Sequence, residues 1–138
     1  DQNLYQTIKG VSAAAQVVRH GGVIVCASEC SDGIPSHGEY RQILSERQTP
    51  AELLEMICTP GYRRHDQWEV QVQTQIQQRA QVFLTAEGLT DSEIRAAHFS
   101  PVDDIGTSVR EHLAKGGPDA QLCVLPEGPQ TIPYLRTD

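Results

Sequence analysis

The chain has 138 residues, 38% of them hydrophobic, and its 18 Asp and Glu against 11 Lys and Arg give a formal net charge of -7. This length suits a single domain, residues 1–138, that buries roughly 68–70% of its unfolded surface, and the acidic balance argues against a nucleic-acid partner, since neutralising phosphates needs a basic face. No run approaches the ~18 apolar residues of a membrane span and the first residues are too polar for a signal-peptide core, so a soluble cytoplasmic protein without a membrane partner is expected.

The first helix starts within the first ten residues, where Leu4, Ile8, Val11, Ala15 and Val18 form an apolar stripe of helical period. Gln2, Gln6 and Lys9 follow one another on a second strip with Tyr5 alongside. An ammonium flanked by amides on one exposed face can hold a small anion, and a plain solvated face is the alternative. Gly21-Gly22 is expected to end this helix. Val23 to Ala27 is a short apolar run rich in β-branched residues, the pattern of a strand buried on both faces. The loop Ser28 to Gly38 follows, with turn-forming Asp32-Gly33; its glycines match neither the dinucleotide fingerprint nor the P-loop, which leaves an ordinary connection or the lining of a cleft.

Two helices are predicted over Glu39 to Arg47 and Pro50 to Cys58, the latter capped by Thr49 with Pro50 at its first position. A helix over Gln67 to Arg79 carries the single tryptophan, Trp68, near its start. Its indole offers an apolar wall with one N–H donor, or else simply packs over the helix end. A strand over Gln81 to Thr85 is followed by a helix over Asp91 to His98, opened by the capping-box spacing Thr90-Asp-Ser-Glu93. The last elements are a helix over Val102 to Lys115 and a third strand over Gln121 to Leu125. This alternation predicts a three-layer α/β domain with a mostly parallel central sheet and helices on both faces. In such sheets ligands gather beyond the carboxyl ends of the strands.

Several chemistries find no support. Cys26, Cys30, Cys58 and Cys123 lack the paired spacing of a zinc site; Cys26 and Cys123 read as buried apolar residues, while Cys30 is placed in a loop and Cys58 at a helix end. The histidines are scattered and form no legible metal site; His37 and His65, both in loops, are the two retained as cleft residues. A serine hydrolase elbow is absent.

Four segments in order, DQNLYQTIKG at 1–10, RHGGVIVCASECSDG at 19–33, HDQWEVQ at 65–71 and GPDAQLCVLPEGPQTIP at 117–133, make the chain resemble the C-terminal domain of the nickel-pincer-dependent lactate racemase family. The resemblance spans nearly the whole chain. It implies an enzyme that interconverts the stereoisomers of lactate or a related 2-hydroxy acid by hydride abstraction and return. It also implies that the nickel-pincer pyridinium nucleotide is tethered to an N-terminal catalytic domain outside this chain, so that no catalytic residue, metal or cofactor is expected here and the fragment alone is expected to be inactive.

Carried over residue by residue, the resemblance assigns Lys9 to a substrate oxygen, Gln6 to a hydrogen bond beside it, Tyr5 to the pocket lining and Trp68 to its apolar wall. The partners implied are the protein's own N-terminal domain and a small 2-hydroxy acid. The start at Asp1 fits a segment of a longer polypeptide, with Asp1 to Asn3 and the Pro133 to Arg136 tail as the expected connections. The rival reading is a non-catalytic α/β ligand-binding or interaction domain, since a fold by itself does not fix a function.

Overall fold

The computed structural model describes residues 1–134. Helix α1 spans Leu4–Ala15, strand β1 Gly22–Ser28, helices α2 and α3 Tyr40–Leu44 and Pro50–Ile57, helix α4 Gln67–Gln77, and strand β2 Ala80–Ala86. Helix α5 covers Asp91–Ala96, strand β3 Ser100–Pro101, helix α6 Ile105–Gly116, and a single 3-10 turn lies at Gly128–Gln130. The sheet has the order β1-β2-β3, and both pairings are parallel, with Gly22 to Ser28 opposite Ala80 to Ala86 and Phe83 and Leu84 opposite Ser100 and Pro101.

The expected α/β architecture is present. On β2 alternate residues point to opposite faces. Ala80, Val82 and Leu84 join the core with Leu4, Ile8 and Val11 of α1 and Val70 and Ile76 of α4. Phe83 points the other way, where its ring meets that of His112 on α6 at 4.7 Å. Helices therefore cover both faces. Local capping follows the sequence: Thr49 with Glu52 and Thr90 with Glu93 each close a complete capping box, an arrangement that satisfies two otherwise orphaned backbone donors at each helix start.

Four expectations are corrected. Among the described residues Gln121 to Leu125 pairs with no strand; the third strand is the short β3 instead, with Pro101 at the sheet edge, where a missing N–H is tolerated. Helix α1 ends at Ala15, before Gly21-Gly22, and Gly22 already belongs to β1. Because β1 is an edge strand, only Ile24 in it is fully buried. Among the cysteines, Cys123 is exposed, whereas Cys30 is buried, with its thiol 3.3 Å from the hydroxyls of Thr7 and Ser28.

The first residues are tied down by the loop after β1. Cys30 N–H donates to Asp1 O at 2.9 Å, Asp32 N–H to Gln2 O at 2.8 Å and Leu4 N–H to Gly33 O at 3.0 Å. Positive φ at Gly33 and Gly38 gives this loop its turns, and a Cβ at Gly38 would run into the Asp66 carboxylate, so glycine is required there by space as well as by conformation. The second expected connection, Pro133 to Arg136, runs past Tyr134 and so lies partly outside the described residues.

Candidate functional site

Helix α1 begins where β1 ends. Asn3 caps it by accepting from Gln6 N–H at 3.1 Å, and Thr7 Oγ1 lies 2.8 Å from Ser28 Oγ at the last residue of β1. These contacts hold the first turn of α1 beyond the carboxyl end of the sheet, the place where loops of such folds present polar groups. Alongside lies the start of α4, whose N-cap Asp66 is left-handed at φ 66. That strained position is pinned from several sides. Asp66 Oδ2 accepts from Glu39 N–H at 3.0 Å and lies 3.0 Å from His65 Nδ1, while Glu39 accepts from His65 N–H at 2.7 Å and from Arg64 Nε at 2.6 Å. The hydrogen bonds from Arg64 and His65 hold the Glu39 carboxyl below its ordinary range.

Between these two helix starts lies a pocket of about 240 Å³ lined by Asn3, Tyr5, Gln6, Pro35, His37, His65 and Asp66. Tyr5 connects it to the indole: its ring packs edge-on against Trp68 at 5.6 Å and edge-on against buried Tyr40 at the same distance. Trp68 is 56% exposed, so it is not a core residue. Tyr5, Gln6 and Trp68 thus meet at one seam, and Lys9 stands exposed one helical turn beyond Tyr5. Lys9 and Trp68 lie outside the pocket lining itself. Both histidines singled out in the sequence, His37 and His65, do line it.

Sequence reasoning missed the acid in the middle of this seam. Glu69 follows Trp68 in the first turn of α4 and is only 4% exposed. Its carboxyl makes no hydrogen bond and no ion pair within 4.0 Å among the described residues. Burial is the main cause that pushes it up to about 7; Lys9 opposes the rise and Asp66 adds to it. Glu69 and Asp66 in turn reinforce the effect of burial in raising the Tyr5 phenol, which therefore remains a hydroxyl at neutral pH. Gln73, one turn along, is also buried, but it is satisfied: Tyr40 Oη donates to Gln73 Oε1 at 2.5 Å and Gln73 Nε2 donates to Ala97 O at 2.8 Å. The only sequence sign of Glu69 was its place beside Trp68 on a helix whose buried side proves to be half polar.

The seam gathers groups of the kind that hold a small polar anion, with the Asp66 and Glu69 carboxyls alongside. It offers one ammonium, a phenol, two amides and two imidazoles beside an exposed indole. Among the described residues no three His, Cys, Asp or Glu side chains stand together to hold a metal ion, and no helix is long and apolar enough to cross a membrane.

A family model described as the lactate racemase C-terminal domain matches residues 1–132. The lactate racemase of Thermoanaerobacterium thermosaccharolyticum is 29% identical over 134 residues, covering 96% of this chain and 31% of that protein. That of Lactiplantibacillus plantarum is 28% identical over 130 residues, with 93% and 30% covered. The structure of the lactate racemase apoprotein from T. thermosaccharolyticum superposes with a TM-score of 0.81 at 27% identity, over 93% of this chain and 31% of that one. The chain therefore spans about a third of the length of these relatives. It belongs to the lactate racemase C-terminal domain family.

Proposed function

We propose that the chain is the substrate-covering part of a racemase or epimerase of lactate or a related 2-hydroxy acid. In this reading Lys9 binds the substrate carboxylate, Gln6 hydrogen-bonds beside it, Tyr5 lines the pocket and Trp68 closes it with an apolar wall. The observation that carries the reading is the meeting of Tyr5, Gln6 and Trp68 at one seam, from helices that begin far apart in sequence at Leu4 and Gln67, in a domain of this family. A 2-hydroxy carboxylate needs a cation on its acid group, and a charge-assisted hydrogen bond there contributes about 1.5–3 kcal/mol to holding the reacting carbon in place. Covering the site also excludes water, which strengthens every polar contact inside it.

The hydride chemistry of this reading belongs to a nickel-bound pyridinium nucleotide carried by the part of the polypeptide outside this chain. The described residues do not fit such a metal group, so the roles given to this chain are binding, orientation and exclusion of water. The test is to incubate the full-length, cofactor-loaded protein with single enantiomers of a panel of 2-hydroxy acids and follow them by chiral chromatography. The opposite enantiomer should appear for at least one acid. Retained enantiopurity for every acid would overturn the reading and favour the non-catalytic ligand-binding domain.

A further inference from the structure

The pocket beside Tyr5 and Gln6 is larger than a methyl substituent needs, and several polar groups stand in its largely apolar lining. Its volume is about 240 Å³. The Asp66 carboxylate in its lining is already engaged by Glu39 N–H and His65 Nδ1, but other polar groups there are unspent. Among the described residues, the Asn3 NH₂, the Gln6 amide, the Tyr5 hydroxyl and the His37 ring make no hydrogen bond within the protein, and none of them is among the fully occluded unpaired polar atoms, which are Tyr62 Oη and Gln77 Oε1. Asn3 directs its Oδ1 to Gln6 N–H, which leaves its NH₂ available. His65 is oriented by its Nδ1 contact with Asp66 Oδ2 at 3.0 Å, so its Nε2 is free. That nitrogen accepts from a hydroxyl when the ring is neutral and donates to a carboxylate when it is protonated.

We propose that this pocket receives the substituent on the hydroxyl-bearing carbon and that the substituent carries oxygen, a second carboxylate or a hydroxyl, with His37 and His65 as its specificity-determining residues. The proposal rests on the racemase reading and narrows its substrate class. The physical ground is asymmetric. An alkyl substituent covers these donors and acceptors without pairing them, and an unpaired polar group in a closed site is costly, whereas an oxygen-bearing one replaces the water it displaces. Sites built to hydrogen-bond a substrate group reject analogues lacking it more strongly than apolar pockets reject a missing methylene.

The experiment compares kcat/KM of the full-length, cofactor-loaded protein for lactate, 2-hydroxybutyrate, glycerate and malate. Glycerate or malate should exceed both alkyl acids by at least about tenfold, and which of the two leads tells a hydroxyl-binding pocket from a carboxylate-binding one. In His37→Leu and His65→Leu, both at exposed positions, the oxygen-bearing acids should lose at least about tenfold more than lactate loses, mainly in KM. Preference for an alkyl acid, or an equal loss for all four acids in both variants, would overturn the proposal while leaving the racemase reading standing. Absence of racemisation with every acid removes both.

Discussion

The seam between α1 and α4 and the stretch after α6 are both rich in apolar residues, yet their environments are opposite. Leu4, Ile8 and Val70 are completely buried at the seam, whereas Leu122 and Val124 are 57% and 68% exposed. The difference is the presence of a second surface. α1 lies against α4 and against β1, with Thr7 tied to Ser28, while Gln121 to Leu125 pairs with no strand. Burial is a property of a pair of elements; the seam pairs so closely that it buries Glu69 and raises its carboxyl by desolvation, at an energetic cost.

The largest effect that would break this contrast is a cavity in the seam. Ile8→Ala removes a completely buried side chain and should destabilise by about 2–5 kcal/mol in equilibrium urea unfolding. A loss under about 1 kcal/mol would mean that the seam is loosely packed.

Glu69→Gln sharpens the comparison by separating charge from shape. The folded value of about 7 lies above the ordinary 4.5, so between those values the folded chain holds a proton that the unfolded chain releases. Stability from this group therefore falls as pH rises through that window, by at most about 3 kcal/mol. Glu69→Gln should raise stability relative to wild type at pH 8 by about 1–3 kcal/mol and change it little at pH 4.5. A gain independent of pH would remove burial of the charge as its cause.

The smallest effect belongs to the exposed stretch. Val124→Ser should change stability by less than about 0.5 kcal/mol, as is typical for a surface position. A cost above 1 kcal/mol would show that this stretch is packed in solution after all.

The same contrast explains what was legible in the sequence. The stripe of α1, the caps at Thr49 and Thr90 and the apolar runs of β1 and β2 are local patterns, and each marked the right type of element, although α1 stops before Val18 and β1 is not buried on both faces. Gln121 to Leu125 carries a comparable run, but no local pattern states whether a neighbouring strand is there to pair with it. β3 was hidden for the converse reason, because two residues with a proline carry no period. At the candidate site, Tyr5, Gln6, Lys9 and Trp68 were singled out by the strip on α1 and the family resemblance, and His37 and His65 by their loop positions. Glu69 and the free amide of Asn3 were not found, because their roles depend on how two distant helix starts approach each other.

The central claim is that the exposed strip of α1 faces substrate, and Lys9→Ala in the full-length, cofactor-loaded protein tests it most directly. The side chain is exposed and no ion pair within 4.0 Å holds it among the described residues, so the melting temperature and nickel content should remain close to wild type. Loss of a charge-assisted contact of about 1.5–3 kcal/mol predicts a fall in kcat/KM for racemisation of the preferred 2-hydroxy acid of about tenfold to more than a hundredfold. Lys9→Arg should restore little, because a planar fork does not replace a compact ammonium. Racemisation by Lys9→Ala at the wild-type rate would contradict the account and leave Lys9 as part of a solvated helix face.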